Sequence, residues 1–365
     1  MIPSVYIAAS SQHMGKTTVT LGTLNACVQG GYKAGFIKPV GQQYVTLHGT
    51  EVDKDVCLVE SVLGSLEDAV WTLSPVIVPS GFTEKYLQNR DPKPLHRRIL
   101  SAVDVLSERH EFLVVEGTGH AGVGACFDLS NAEVARLLGS RVVIVTEGGI
   151  GRALDEVALS LALYRQHGVE VLGVIANKVY RSKADRVRNA LSSGLKNLGS
   201  RLLGCIPYEA QLTYPRMSQI ARLFGSQTLC GKEYLEQHVE GYVVAAMEPQ
   251  HALQHIMPGA LVIMPGDRVD NMLIVVGAHL AGEIAEPRIA GILLTGGMEP
   301  PENILKLLRK SGLAVLMTDE DTYTATARIR STVFKIEPLD SVKIQAAERL
   351  VQRYVDLDYI LENLT

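Results

Sequence analysis

ASSQHMGKTT, residues 9–18, continues the apolar run VYIAA (5–9), and its reading decides the fold of the first half of the chain. A buried strand, a tight turn and then Gly-Lys-Thr opening a helix is the context in which a phosphate-binding loop is credible. Gly15 lets the backbone approach an anion, and the following N–H groups and the helix dipole favour negative charge there. In this reading Gly15, Lys16, Thr17 and Thr18 cradle the phosphates of a nucleotide, expected as Mg-ATP. Lys16 reaches the terminal phosphates and the Thr17 hydroxyl turns to Mg²⁺. One departure stands out: the first glycine of the usual G-x-x-x-x-G-K-[ST] pattern is Ser10 here.

Working outward, short apolar runs recur at 35–40 (GFIKPV), 112–117 (FLVVEG), 141–147 (RVVIVTE), 171–177 (VLGVIAN) and 201–207 (RLLGCIP). Runs without polar alternation indicate strands covered on both faces, as in parallel sheets. Leu154, Val157, Leu161 and Tyr164 recur between two of them at helical spacing. Strand and helix in alternation predict an α/β fold, a P-loop NTPase-like, mostly parallel sheet with helices on both faces. A second alternating series begins at 242–247 (YVVAAM) and continues through 260–264, 289–297 and 313–319 to a final helix from about Val342. The expected organisation is a nucleotide-binding domain over 1–212, a connecting region over 213–240 and a smaller α/β domain over 241–365.

Composition excludes several classes of function. The chain has 365 residues and a formal net charge of −4, which argues against nucleic acid or an anionic membrane as partner, because phosphate polymers select a basic face. Cys27, Cys57, Cys126, Cys205 and Cys230 are scattered without C-x-x-C spacing, which fits reduced thiols better than a disulfide framework or a zinc site. No stretch reaches the length of a membrane span, and a cytoplasmic protein, a homo-oligomer, is expected.

Glu116 ends the strand FLVVEG, where P-loop proteins orient Mg²⁺ or its water shell; an ordinary strand-end turn is the alternative. The glycines of EGGIGR (147–152) either line the cleft or make a turn. Taken together, GKTT, FIKPVGQ (36–42), VEGTGH (115–120) and DLSNAEVA (128–135) resemble the dethiobiotin-synthetase-like P-loop family, and most nearly the N-terminal region of long bacterial phosphotransacetylases. GDR (266–268), TGG (295–297) and DEDTYTATARI (319–329) are similar to the DRTGG domain that accompanies this unit. By this resemblance no counterpart of the acyl-transferase domain that normally follows is expected within these 365 residues.

The resemblance implies roles residue by residue. Lys16 and Thr17 match the phosphate and magnesium positions, with Asp55 and Glu116 as further metal ligands. Lys38 matches the lysine that faces the reacting carbamate in the synthetases. Asn177 matches the reader of adenine, for which a carboxamide's donor and acceptor are suited; a strand-end turn is the competing reading. His13 stands where the synthetases carry a metal-contacting glutamate, and a neutral imidazole is a poor Mg²⁺ ligand.

In the second module Asp267, Arg268, Thr295, Gly296 and Gly297 follow strands and would converge at one sheet edge. Arg268 with an anion nest at Gly296-Gly297 would take a small anionic metabolite; the alternative is an internal ion pair and helix capping. Two functions follow. One is a nucleotide- and metabolite-responsive regulatory protein. The other is an ATP-dependent enzyme activating a carboxylate or carbamate, of the dethiobiotin or cobyrinic acid a,c-diamide synthetase type. A partitioning ATPase is disfavoured, because the loop lacks that class's extra lysine before GKT.

Overall fold

The computed structural model describes residues 2–63, 68–282, 289–338 and 340–364. The chain forms two compact units, Met1–Glu209 with Ile336–Thr365, and Ala210–Lys335.

The first unit is built on β1 (Ser4–Ala9), β2 (Ala34–Ile37), β3 (Val40–Gly41), β4 (Tyr44–Leu47), β5 (Thr50–Asp53), β6 (Val76–Ile77), β7 (Phe112–His120), β8 (Arg141–Glu147), β9 (Val171–Val179) and β10 (Leu202–Pro207). Six of these make one parallel sheet in the order β10-β9-β8-β1-β7-β2. All six residues of β1 are buried, as a central strand covered on both faces requires. Register sets Ala9 beside Val145 and Glu147 beside Asn177, so the carboxyl ends of β1, β8 and β9 share one edge. The long helix α1 (Lys16–Gln29) leaves that edge after β1. The antiparallel hairpin of β4 and β5 ends at Asp53 and runs directly into α2 (Lys54–Leu63).

The second unit holds β11 (Gln227–Cys230), β12 (Gly241–Val244), β13 (Ala260–Pro265), β14 (Gly291–Thr295) and β15 (Ala314–Met317), in the order β11-β15-β14-β13-β12. β12 to β15 are parallel and β11 is an antiparallel edge strand. Two apolar clusters fill this unit, one around Val262, Ile292 and Val315 and the other around Leu261, Leu293 and Leu316. Alternation along the strands divides them in this way.

Two expectations about organisation change. The stretch 213–240 is not a bare connector: the helix Met217–Phe224 and β11 belong to the second unit. The helix Ser341–Tyr354, expected in the second domain, lies in the first unit against α1. A Cβ on Gly22 would fall 2.3 Å from Val351 Cβ, so the two helices touch where α1 has no side chain. Helix periodicity shows that an apolar stripe must be covered, but not by which partner.

Candidate functional site

Gly15 has φ +92 and caps α1, a conformation that side-chain-bearing residues rarely adopt. No side chain caps this helix start and no acidic residue stands in its first turn. Its positive end therefore meets no carboxylate of the first turn. Ser10, at the position of the missing glycine, is buried, with its hydroxyl 3.0 Å from Thr146 Oγ1 and 2.9 Å from Glu156 Oε2. The serine is accommodated because its side chain bonds to β8 and the helix Gly151–Gln166.

The loop is also held from β9. Asn177 Nδ2 donates to the Met14 carbonyl at 2.9 Å, and Lys178 Nζ donates to the His13 carbonyl at 2.7 Å. Asn177 Oδ1 accepts the Lys178 N–H at 2.8 Å. The visible task of Asn177 is thus to brace the phosphate loop, a role that sequence reasoning missed. His13 itself is exposed, at φ +61.

Beside the loop lies a buried charge cluster. Lys38, just beyond β2, directs its ammonium at three carboxylates: Asp55 in direct contact, Asp53 Oδ1 at 3.3 Å and Glu116 Oε1 at 3.5 Å. All four residues are at most 5% exposed, so the charges meet in a low-dielectric setting. Burial opposes the charge on Lys38, but Asp55, Glu116 and Asp53 together outweigh it and keep the amine protonated. Burial pushes the Glu116 carboxyl up, against the attraction of Lys38. Thr17 Oγ1 donates to Glu116 Oε1 at 3.1 Å, joining the loop to the cluster. Asp53 was missed from sequence. It accepts the N–H groups of Gln42, Gln43 and Asp55, fixing the segment after β3 and the start of α2. Its only signal was the Asp-Lys-Asp triplet at 53–55.

Among the described residues no group of three or more His, Cys, Asp or Glu side chains stands ready to hold a metal. The Thr17 hydroxyl with Asp55 and Glu116 is nonetheless a hard-oxygen set of the kind Mg²⁺ takes. Glu116 Oε2 is buried without a hydrogen-bond partner, an acceptor such an ion would use. In donor type these residues fit Mg²⁺, and Lys38 engages the Asp55 and Glu116 oxygens of the set.

In the second unit the residues expected to take an anion are engaged within the protein. Arg268 binds both oxygens of Asp270 at 2.9 Å and donates to the carbonyls of Ala246 and Met247 at 3.1 and 3.0 Å. Its partner is Asp270, not Asp267, which is exposed. The Gly296 and Gly297 N–H groups donate to the carbonyls of Glu320 and Thr318, and Thr295 Oγ1 lies 2.7 Å from Thr322 Oγ1. The loops do converge at one edge, but their polar groups satisfy one another.

Comparison with known proteins follows this division. The AAA domain model matches residues 3–216 and the DRTGG domain model residues 219–332. The phosphate acetyltransferase of Nitratidesulfovibrio vulgaris is 29% identical, over 98% of this chain and 51% of its own length. That of Synechocystis is 26% identical, over 100% of this chain and 52% of its own length. The chain spans about half the length of the curated relatives it matches. Among solved structures, the septum site-determining protein MinD of Pyrococcus horikoshii, complexed with Mg-ADP, is 18% identical, covering 58% of this chain and 84% of its own, with a TM-score of 0.36. Among the described residues no helix is long and apolar enough to cross a membrane. With more than half of its length matched by one model, the chain belongs to the AAA domain family of P-loop proteins and carries a DRTGG domain after it, in the manner of the N-terminal region of long phosphotransacetylases.

Proposed function

We propose that the first unit binds Mg-ATP and that the chain is a nucleotide-responsive regulatory protein related to the N-terminal half of phosphate acetyltransferases. The observation that carries this reading is the helix start behind Gly15, with no side-chain cap and no first-turn acid, joined by Thr17 to the buried Glu116. Thr17, Asp55 and Glu116 would hold Mg²⁺, which when bound would neutralise phosphate charge. Beside the loop, Lys38 is engaged by the Asp53, Asp55 and Glu116 carboxylates. The same cluster favours the second reading, a carboxylate-activating synthetase, because Lys38, Asp55 and Glu116 do stand together. A metabolite role for the second unit has no support from Arg268, whose guanidinium is already held.

Calorimetry and thermal unfolding with Mg-ATP test the reading. At a hundredfold excess over the dissociation constant, linkage stabilises the protein by about 2.7 kcal/mol, and Lys16→Ala should remove most of that gain. Equal stabilisation of wild type and Lys16→Ala would refute the site. GTP in place of ATP tests Asn177 as base reader, and no preference for ATP would count against it. Stoichiometric ADP release with an added carboxylic acid would move the conclusion to the synthetase.

A further inference from the structure

We propose that Lys38 is a built-in counter-cation that keeps the Asp53, Asp55 and Glu116 carboxylates closed to free divalent metal until nucleotide is bound. The inference rests on the reading of Thr17, Asp55 and Glu116 as the metal's ligands, and adds to it an order of events.

Three carboxyl groups buried to 95% or more call for a cation beside them, because isolated charges are expensive to remove from water. Lys38 supplies that cation, in contact with Asp55 and within 3.3 and 3.5 Å of the other two. It engages one oxygen on each of the two carboxylate metal-ligand candidates. Glu116 Oε1 accepts from both Thr17 and Lys38, and the Asp55 oxygen in contact with Lys38 belongs to the second metal-ligand candidate. An ammonium lying among these oxygens excludes a divalent ion from the same place by both volume and charge.

Lys38 is also able to leave. Its charge sits on a flexible four-carbon stem, whereas the carboxylates are fixed. Asp53 is tied by three backbone N–H groups, Asp55 stands in the first turn of α2, and Glu116 lies within β7. Phosphate oxygens arriving at Gly15–Thr18, beside Thr17 and Glu116, offer the ammonium a new anionic partner. Metal entry thereby becomes conditional on nucleotide, and free Mg²⁺ does not fill the site of the resting protein.

Mn²⁺ titration of the full chain, followed by electron paramagnetic resonance of the free ion, tests this. Wild type should bind Mn²⁺ weakly alone and at least tenfold more tightly with ATP. Lys38→Met should bind Mn²⁺ without nucleotide at least tenfold more tightly than wild type, and adding Asp55→Asn should abolish that gain. Equal nucleotide-free affinities of wild type and a folded Lys38→Met would overturn the proposal. If Lys38→Met does not fold, wild type decides alone: tight Mn²⁺ binding without nucleotide overturns the idea, and weak binding that ATP tightens supports it. ATP binding is measured separately with the metal chelated. Its complete absence would sink the nucleotide reading, whereas tight Mn²⁺ binding by Lys38→Met would still stand for the counter-cation.

Discussion

Lys16 and Arg268 each stand where a helix begins behind a buried strand, yet their surroundings differ. No acid follows Lys16 in the first turn of α1, whereas Asp270 follows Arg268 by two residues and chelates it. The Arg-Val-Asp spacing stands in the sequence, yet reading it yields for Arg268 an anion or an internal ion pair and does not single out Asp270. What else remained hidden depended on neighbours remote in the chain, such as Asn177 reaching the Met14 carbonyl or Asp53 reaching Lys38. Asp128 is another case, read in the sequence only as part of the DLSNAEVA stretch. Hydrogen bonds from Arg90 hold its carboxyl below the usual carboxylate range; partial burial opposes this, and the Tyr86 hydroxyl at 2.7 Å adds to it. Because the folded-state pKa is depressed, this stabilisation is complete above the unfolded value and fades as pH falls through the folded one. Asp128→Asn should therefore lose less stability than wild type between pH 7 and pH 3 in urea unfolding. Identical acid sensitivity would show that Asp128 contributes nothing there.

At the scale of elements, the buried parallel strands were legible because continuous apolar runs have few other folded uses. β8 occupies the expected 141–147. β4, β5 and β11 were not legible. Their residues are partly exposed, short and mixed in character, and pairing rather than burial defines them. The contact of α1 with the helix Ser341–Tyr354 was likewise hidden, although it yields a sharp test. Alanine in place of a helical glycine ordinarily gains about 1 kcal/mol. At Gly22 the new Cβ would lie 2.3 Å from Val351 Cβ, an atom that cannot rotate away, and overpacking typically costs about 1–3 kcal/mol. Gly22→Ala should thus be net destabilising, by about 1–2 kcal/mol. In a Val351→Gly background the clash is gone, and the same substitution should become stabilising. Denaturant midpoints of the four proteins measure the reversal, and additive effects would mean that the helices do not meet there.

For the whole molecule, chain order and spatial order part company, because the second unit is inserted between two segments of the first. After Lys335 the chain returns, and its last helices complete the first unit's surface. The Asp356 N–H donates to the Leu203 carbonyl at 2.8 Å, Val355 bridges Gly204, and the Arg201 guanidinium lies 3.9 Å from the centre of the Tyr359 ring. Ile344, Ala347, Leu350, Val351 and Ile360 are all buried. Each fully buried large apolar side chain is worth about 1.5–3 kcal/mol, and the whole stability of a domain is only about 5–15 kcal/mol. A chain cut after Lys335 should therefore fail to fold its first unit cooperatively, even though the entire phosphate loop and charge cluster remain in it. The complementary deletion is the more informative. Removing 210–335 and joining Glu209 to Ile336 through a flexible Gly-Ser linker leaves every one of these contacts available, so this shortened chain should unfold cooperatively and retain stabilisation by Mg-ATP. Thermal unfolding of both proteins, with and without nucleotide, separates the alternatives. If the chain ending at Lys335 melts like wild type and the internally deleted one does not fold, the returning helices are ornamental and the second unit is what supports the first.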